Sequence, residues 1–513
     1  MSRFSTPSAR ADARPSRAAL RWAMAAGMAA ALTGIARAEP PPDSGIVRVL
    51  VTYQDVNQFL PWIRERPRER QGYGVRVDAS LILTTESVLR NHRLVELQRP
   101  RAGEKAPAEV VVTDTQANLA LLRVTADRAQ DAPAPLPLAQ QVPREGVFEI
   151  LQFFDSGEIQ KIQASMVRIT MARLPEAPFS SLVFSLQTDS NINGQGAPVL
   201  LKGQLAGIVI AYDRTSRIAT VLPCPVIRHF IDDVKAPPYQ GFASAGFMRL
   251  ELVDPVKRSY LGVKRDGVGV LVQQCLPGSP SGKVLRPGDV ILDWDGHPID
   301  NMGFYEDADF GRIDFTYLMK GRRQPGDIVP VTIVREKKEI QIQLQLECRS
   351  DAAALIPEDV EGVPPEYLVE GGIVLREITG KYLQAHGADW VRNVDPRLAH
   401  LYLSRQYAPE KPGERVVVIA VVLADPVNVG YQQLRNQIVT AVNGEPIANI
   451  HDIFKIARRD GNLRRISLRS VGVDVVLDPD LLREANARLA RVYRIPNLRY
   501  ERPSQNEMTP PAK

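Results

Sequence analysis

The first half of the chain predicts a mainly β fold, on two observations. From Ile46 to Tyr212, short apolar or alternating runs follow one another with turn residues between them, among them IVRVLVTY, YGVRVDASLIL, LVELQR, AEVVVTD, NLALLRV, VFEILQFF, IQKIQASMVRIT, SLVFSL and QLAGIVIAY. Almost none of this region shows the three-to-four spacing of an amphipathic helix, so the runs describe a sandwich or a barrel. A third observation concerns the second half. Two units there share one order: a glycine loop, an apolar strand, a DGHPI or NGEPI turn, a helix or loop, then further strands, with a period of a little over 100 residues.

The length of 513 residues suits about three domains at roughly 150 residues each. Apolar residues make up 44% and charged residues 24%, as in ordinary globular chains. The net charge of +5 comes from 64 basic and 59 acidic residues, mixed throughout. That leaves no polybasic groove and no case for nucleic-acid binding.

Taken in order, residues 1–21 are rich in Arg and Ser. A short apolar run follows from Trp22 to Ala36, and Arg37 and Ala38 close it. A basic start, an apolar stretch too short for the ~20 residues of a span and an A-x-A site read as a signal peptide over 1–38. Export to a periplasmic or extracytoplasmic space is the consequence. Residues 39–44 are a spacer, and the β region is expected over 45–235. Its charged insert RERPRERQG, Arg64 to Gly72, reads as a solvated loop. VLPCPVIRHFIDDV closes the region with a short helix after Pro225. KAPPYQGF, Lys235 to Phe242, has the composition of a linker. The two repeated units are placed at 242–350 and 357–485. Residues 486–513 read as an extension, polar and partly disordered toward its end. Cys224, Cys275 and Cys348 form no disulfide framework, and their spacing does not decide whether one pair forms.

The chemistry, if there is any, is expected in QTDSNINGQGAPVLL, Gln187 to Leu201, a glycine loop between two apolar strands. Asp289, Asp293 and Asp295 fall on turns and suggest no metal cluster. No C-x-x-C, H-E-x-x-H or phosphate loop is present, so no cofactor is expected.

PGSPSGKVLRPGDVILDWDGHPI resembles the central segment of a PDZ domain of the HtrA/Deg protease family. ILTTESVL resembles that family's histidine segment, DTQANLALLRV its aspartate segment, and QTDSNINGQGAPVLLKGQLAGIVI its serine segment. PVNVGYQQLRNQIVTAVNGEPIANI and DFGRIDFTYLMKGRRQPGDIVPVTIVRE resemble the plant-type Deg branch. The resemblance covers roughly 45–500. It implies a trypsin-like double β-barrel followed by two PDZ (α+β) domains, assembled as a homo-oligomer of trimers or larger.

The triad mechanism needs a base, an acid that orients it and a hydroxyl nucleophile. By the same resemblance Ser87 stands in the place of the histidine, Asn118 of the aspartate and Gln195 of the serine. The serine loop is also about two residues shorter than the family pattern, which puts the oxyanion geometry in question. His92 and His229 are the two histidines of the protease-like region; both, like Ser190 and Asp189, read as framework. Peptidase activity is therefore not expected.

What remains is binding. A PDZ domain takes an extended peptide C-terminus as an added strand, its carboxylate held by loop amides. The resemblance places Ala245, Gly246 and Phe247 in that loop, with Met248 and Leu250 on the pairing strand. In the second unit Gly372, Ile373, Val374 and Leu375 stand in the corresponding place. The first reading is an exported pseudoprotease that binds unfolded or C-terminally exposed polypeptides as scaffold, holdase or regulator in protein quality control. The alternatives are an active serine endopeptidase with relocated catalytic groups, and a structural envelope component.

Overall fold

The computed structural model describes residues 45–101, 104–124, 135–174, 180–349, 351–358, 364–469, 472 and 474–502. The expected signal segment and the last eleven residues lie outside them.

The first six strands are β1 (Ile46–Tyr53), β2 (Arg68–Arg76), β3 (Leu81–Thr84), β4 (His92–Gln98), β5 (Lys105–Asp114) and β6 (Leu119–Val124). They close into a barrel in the order β1-β2-β3-β6-β5-β4. The alternation in IVRVLVTY explains β1: Val47, Val49 and Val51 fill the barrel interior with Ile82, Val95 and Leu122. Gly74 sits opposite Val47, where a Cβ would come within 2.7 Å of Ile82, so only glycine lets the wall close. A short helix, α1 (Glu86–Leu89), leaves β3 and is wholly buried. The charged insert differs from expectation. Arg68 to Gly72 are part of β2, paired residue by residue with Gln71↔Leu50 and Arg68↔Tyr53. Its arginines point out of the wall, and Arg70 lies over the Tyr53 ring at 3.7 Å. Arg68, Glu69 and Gln71 are all exposed, so the charged pattern concealed a strand whose first half stands in solvent.

Six more strands repeat the plan: β7 (Val147–Phe153), β8 (Ile159–Arg173), β9 (Ser180–Thr188), β10 (Pro198–Leu201), β11 (Gln204–Asp213) and β12 (Ile218–Pro223). The second barrel runs β10-β11-β12-β9-β8-β7. Helix α2 (Cys224–Lys235) closes it, with Pro225 in the first turn. Val226, Ile227, Phe230 and Ile231 supply the buried stripe at helical spacing.

The third unit begins with β13 (Ala243–Ser244) and β14 (Phe247–Leu250). Then come α3 (Pro255–Leu261), β15 (Val270–Cys275), α4 (Ser281–Val284), β16 (Val290–Trp294), β17 (His297–Pro298), β18 (Phe304–Asp307) and β19 (Gly311–Asp314). It ends with α5 (Thr316–Lys320), β20 (Ile328–Arg335), β21 (Lys338–Gln345) and β22 (Glu347–Cys348). The main sheet has the order β14-β15-β16-β20-β21, so β14 is an edge. The aspartates of the turns have local partners. Asp289 pairs with Arg335 at 2.6 Å and Asp295 with Arg323 at 2.7 Å, while Asp293 accepts the Gly296 N–H at 2.9 Å.

This unit is packed on the second barrel. Phe184 of β9 meets Phe310 at 6.0 Å between ring centroids. Arg144 donates to the Asp307 and Asp309 carbonyls at 3.0 and 2.9 Å. Lys320 Nζ donates to the Ser180 carbonyl at 2.7 Å. Burial pushes the Lys320 ammonium down to about 8, against the opposing pull of Asp114 and Cys348. From about pH 8 to the usual lysine range the unfolded chain keeps a proton that the folded chain has lost. Stability therefore rises with pH across that window. Urea unfolding of the native chain and of Lys320→Met should show it: the native chain gains on the variant between pH 8 and 10 and runs parallel to it below about pH 7. Parallel curves throughout would reject the assignment.

The last unit contains β23 (Tyr367–Glu370), β24 (Ile373–Glu377), α6 (Gly380–Gln384), α7 (Trp390–Asn393), α8 (Pro396–Arg405), β25 (Val417–Val422), β26 (Val439–Val442), β27 (Glu445–Pro446), α9 (Ile450–Asp460), β28 (Arg465–Leu468), β29 (Val475–Val476), α10 (Pro479–Val492) and β30 (Arg499–Tyr500). Its sheets are ordered β25-β24-β23-β30 and β27-β26-β28-β29. The boundary expected at 485 falls inside α10, and β30 pairs with β23 through Tyr367↔Tyr500. The extension is thus part of this unit at least to Tyr500. Leu482, Ala485 and Leu489 form the buried stripe of α10, a helical period that the polar composition around it masks. All three cysteines are free thiols: Cys224 buried, Cys275 partly buried, Cys348 exposed. Among the described residues no helix is long and apolar enough to cross a membrane.

Candidate functional site

Ser87, Asn118 and Gln195 come together where the two barrels meet. Ser87 is held on α1, directly after β3. Asn118 precedes β6 with φ +53°, a left-handed conformation that Asn tolerates better than most residues. Its side-chain oxygen accepts the Ser87 N–H at 2.8 Å, and its carbonyl accepts the Glu86 N–H at 3.3 Å. Gln195 arrives from the second barrel. The Ser87 hydroxyl donates to Gln195 Oε1 at 2.7 Å. Ser87 and Asn118 are buried, at 5% and 1% exposure. From the outside Arg70 donates to the Ser87 carbonyl at 2.7 Å.

The loop bearing Gln195 is held by its backbone. The Gln195 carbonyl accepts the Tyr73 N–H at 2.7 Å, and the Gly196 N–H donates to the Val209 carbonyl at 2.7 Å. Gly196 has φ +80°, and a Cβ there would stand 2.0 Å from the Tyr73 carbonyl oxygen. Glycine is required at this crossing for both reasons.

A serine hydroxyl and two amides offer no group that takes up or releases a proton near neutral pH. The displaced histidines stand elsewhere. His92 opens β4 at the surface, its Nδ1 2.9 Å from the Leu89 carbonyl oxygen. His229 lies on α2, stacked on Phe242 at 4.6 Å. Asp189 donates its N–H to the Gln163 carbonyl at 3.1 Å, and the Ser190 carbonyl accepts from Thr188 Oγ1 at 2.9 Å. Among the described residues no group of three or more His, Cys, Asp and Glu is arranged to hold a metal.

Sequence reasoning missed Gln152. It is buried at 1% exposure and its Oε1 accepts the Asn193 N–H at 2.8 Å. Its Nε2 donates to Gln160 Oε1 and the Asn191 carbonyl at 2.7 and 3.1 Å. In the triad enzymes one oxyanion donor is the N–H two residues before the nucleophile. Measured from Gln195 that donor is Asn193, and Gln152 occupies it. A lone amide inside the apolar run VFEILQFF was the available signal, since buried polar groups need partners.

The expected peptide sites divide. Ala245 is buried at 3% exposure, and Gly246 has φ +71°. β14 pairs with β15 on one side, and its other edge carries no strand among the described residues. A small cavity of about 100 Å³ lies between Ala243–Arg249 and Phe315–Lys320. Gly372, Ile373, Val374 and Leu375 are different, and the expectation for them is corrected. β24 lies inside its sheet, with β25 on one side through Ile373↔Val422. β23 takes the other side through Glu370↔Ile373. Ile373, Val374 and Leu375 have 0% exposure. The chain's own hairpin, turning at Gly371 and Gly372, fills the strand position that a peptide would need.

Similarity to known proteins agrees with this architecture. Residues 72–208 match a trypsin-like peptidase domain and residues 356–501 a PDZ domain. Protease Do-like 2, chloroplastic, of Arabidopsis thaliana is 27% identical over 418 residues, covering 80% of this chain and 67% of the relative. Over most of its length the chain resembles the Do-like, or Deg/HtrA, proteases, with their trypsin-like peptidase and PDZ domains. Protease Do-like 4, mitochondrial, of the same plant is 24% identical over 88% of this chain and 84% of its own length. A probable periplasmic serine endoprotease, DegP-like, of Marinomonas sp. (strain MWYL1) is 25% identical over 53% of the chain and 59% of its own. Among solved structures, the HtrA-type protease AlgW with tripeptide covers 60% of the chain and 95% of its own, at 17% identity and a TM-score of 0.47.

Proposed function

We propose that this chain is a proteolytically silent member of the Deg/HtrA family, exported from the cytoplasm, that binds polypeptide C-termini and acts as a scaffold, holdase or regulator in protein quality control. One observation carries the reading: the Ser87 hydroxyl donates to the Gln195 amide at 2.7 Å, so the position assigned to the base holds no base and the position assigned to the nucleophile holds no hydroxyl. In subtilisin, loss of the serine, histidine and aspartate together costs ~10⁶ in kcat. Assembly as a homo-oligomer belongs to the same reading.

The binding half of the proposal is supported by the open edge of β14 and the loop at Gly246, which suit strand addition. The second unit, with β24 covered on both sides, is assigned to structure rather than capture.

The test uses the full chain with casein and with a fluorophosphonate probe. Neither cleavage nor labelling above that of a heat-denatured control is expected. Covalent labelling abolished by replacing a single serine would sink the silent reading and restore the endopeptidase alternative.

A further inference from the structure

The groove beside β14 carries a charge pattern that names its ligand more narrowly. Its walls are the loop and strand Ala243–Arg249 on one side and the segment Phe315–Lys320 on the other. Two of the lining residues are basic, Arg249 and Lys320; the Lys320 ammonium is committed to the Ser180 carbonyl, which leaves Arg249 as the cation of the groove. Resting on the reading that this groove takes polypeptide C-termini, the geometry points to a selective site for acidic ones, ending in a small aliphatic residue and carrying Asp or Glu two positions before the end.

The position follows from strand geometry. On an edge strand, alternate side chains share a face. Phe247 and Arg249 share the face toward α5: the Phe247 ring lies 6.0 Å from Trp294, and the Arg249 guanidinium lies 5.3 Å from the Phe315 ring. Met248 and Leu250 point the other way and are 40% and 42% exposed. A peptide added antiparallel to β14, with its terminal carboxylate at the Phe247 amide and at the Gly246 amide, which it would take over from Ser244 Oγ at 3.3 Å, sets its third-from-last side chain opposite Arg249.

Arg249 can receive an acid there. It pairs with Asp314 and donates to the Met302 carbonyl at 3.1 Å, two bonds from a group with five N–H donors. Asp314 is satisfied on its own side, since Oδ1 accepts the Thr316 N–H and hydroxyl at 2.9 and 2.8 Å. An incoming carboxylate thus adds to Arg249 without stripping Asp314, whereas an incoming lysine would face Arg249 unscreened. The cavity of about 100 Å³ is smaller than the ~150 Å³ that holds a benzene ring, which selects a small aliphatic last residue over an aromatic one.

Fluorescence anisotropy with the full chain tests this on labelled decapeptides ending in Val, with Glu, Ala or Lys as third-from-last residue, and on the Glu peptide with an amidated terminus. The Glu peptide is expected to bind about fivefold or more tighter than the Lys peptide at low salt. Arg249→Glu should reverse the order, and Arg249→Ala should level it with the melting temperature retained. Equal binding of the Glu and Lys peptides, or a Glu preference that survives Arg249→Glu, overturns the acidic selectivity and leaves the C-terminus reading standing. Binding of none of the peptides, or of the amide as well as the free acid, overturns that reading and the selectivity with it.

Discussion

Restoring the three side chains by Ser87→His, Asn118→Asp and Gln195→Ser is expected to leave the chain almost unreactive toward a fluorophosphonate. The triad supplies a nucleophile and a base, but the tetrahedral adduct also needs donors aimed at its oxyanion. The Asn193 N–H is committed to Gln152 Oε1 at 2.8 Å, and Gln152 is locked by Gln160 and Asn191. Adding Gln152→Ala to the triple variant frees that donor. One oxyanion donor is worth ~10²–10³ in rate, so the quadruple variant should label about 10²-fold faster than the triple variant. Equal labelling rates would show that Gln152 does not guard the hole. The single change Gln152→Ala in the otherwise native chain should produce no labelling, because no hydroxyl stands at position 195 to attack.

Trp294→Ala should be the most damaging single truncation in the first PDZ-like unit. The ring is fully buried, between Phe247 at 6.0 Å and Phe315 at 5.7 Å. It therefore supports both walls of the groove. Removing it leaves a cavity that these rings cannot fill, and buried Trp or Phe to Ala changes cost ~3–5 kcal/mol. Urea unfolding followed by far-UV circular dichroism should register that loss, and the Glu peptide should lose its binding. Trp294→Phe should cost much less. The indole Nε1 has no hydrogen-bond partner among the described residues, and an orphaned buried donor carries a penalty of about 1–3 kcal/mol. Its removal offsets part of the lost contact. A Phe variant as unstable as the Ala variant would refute this account of the core.

The β-rich first half and the order of the three folded units were legible in the sequence, because period-two runs such as IVRVLVTY can bury only one face and must pair to do so. The convergence of Ser87, Asn118 and Gln195 was legible only through resemblance, since those residues are 31 and 108 positions from Ser87 in the chain. Helices Gly380–Gln384, Trp390–Asn393 and Pro396–Arg405 escaped notice. They are short, and Gly387 and Pro396 break any period longer than a few turns.

By itself, the sequence determined the residue types at positions 87, 118 and 195: a serine and two amides, with no hydroxyl at position 195. Local identity is enough for that, because no neighbour turns an amide into a hydroxyl. Only the tertiary structure decided which strands keep a free edge. Gly246 to Leu250 and Gly372 to Leu375 look alike as glycine loops leading into apolar strands. The first runs along the rim of its sheet, and the second lies under Tyr367–Glu370 of its own hairpin. An edge is a property of the neighbour rather than of the strand, so no reading of the strand alone could separate the two.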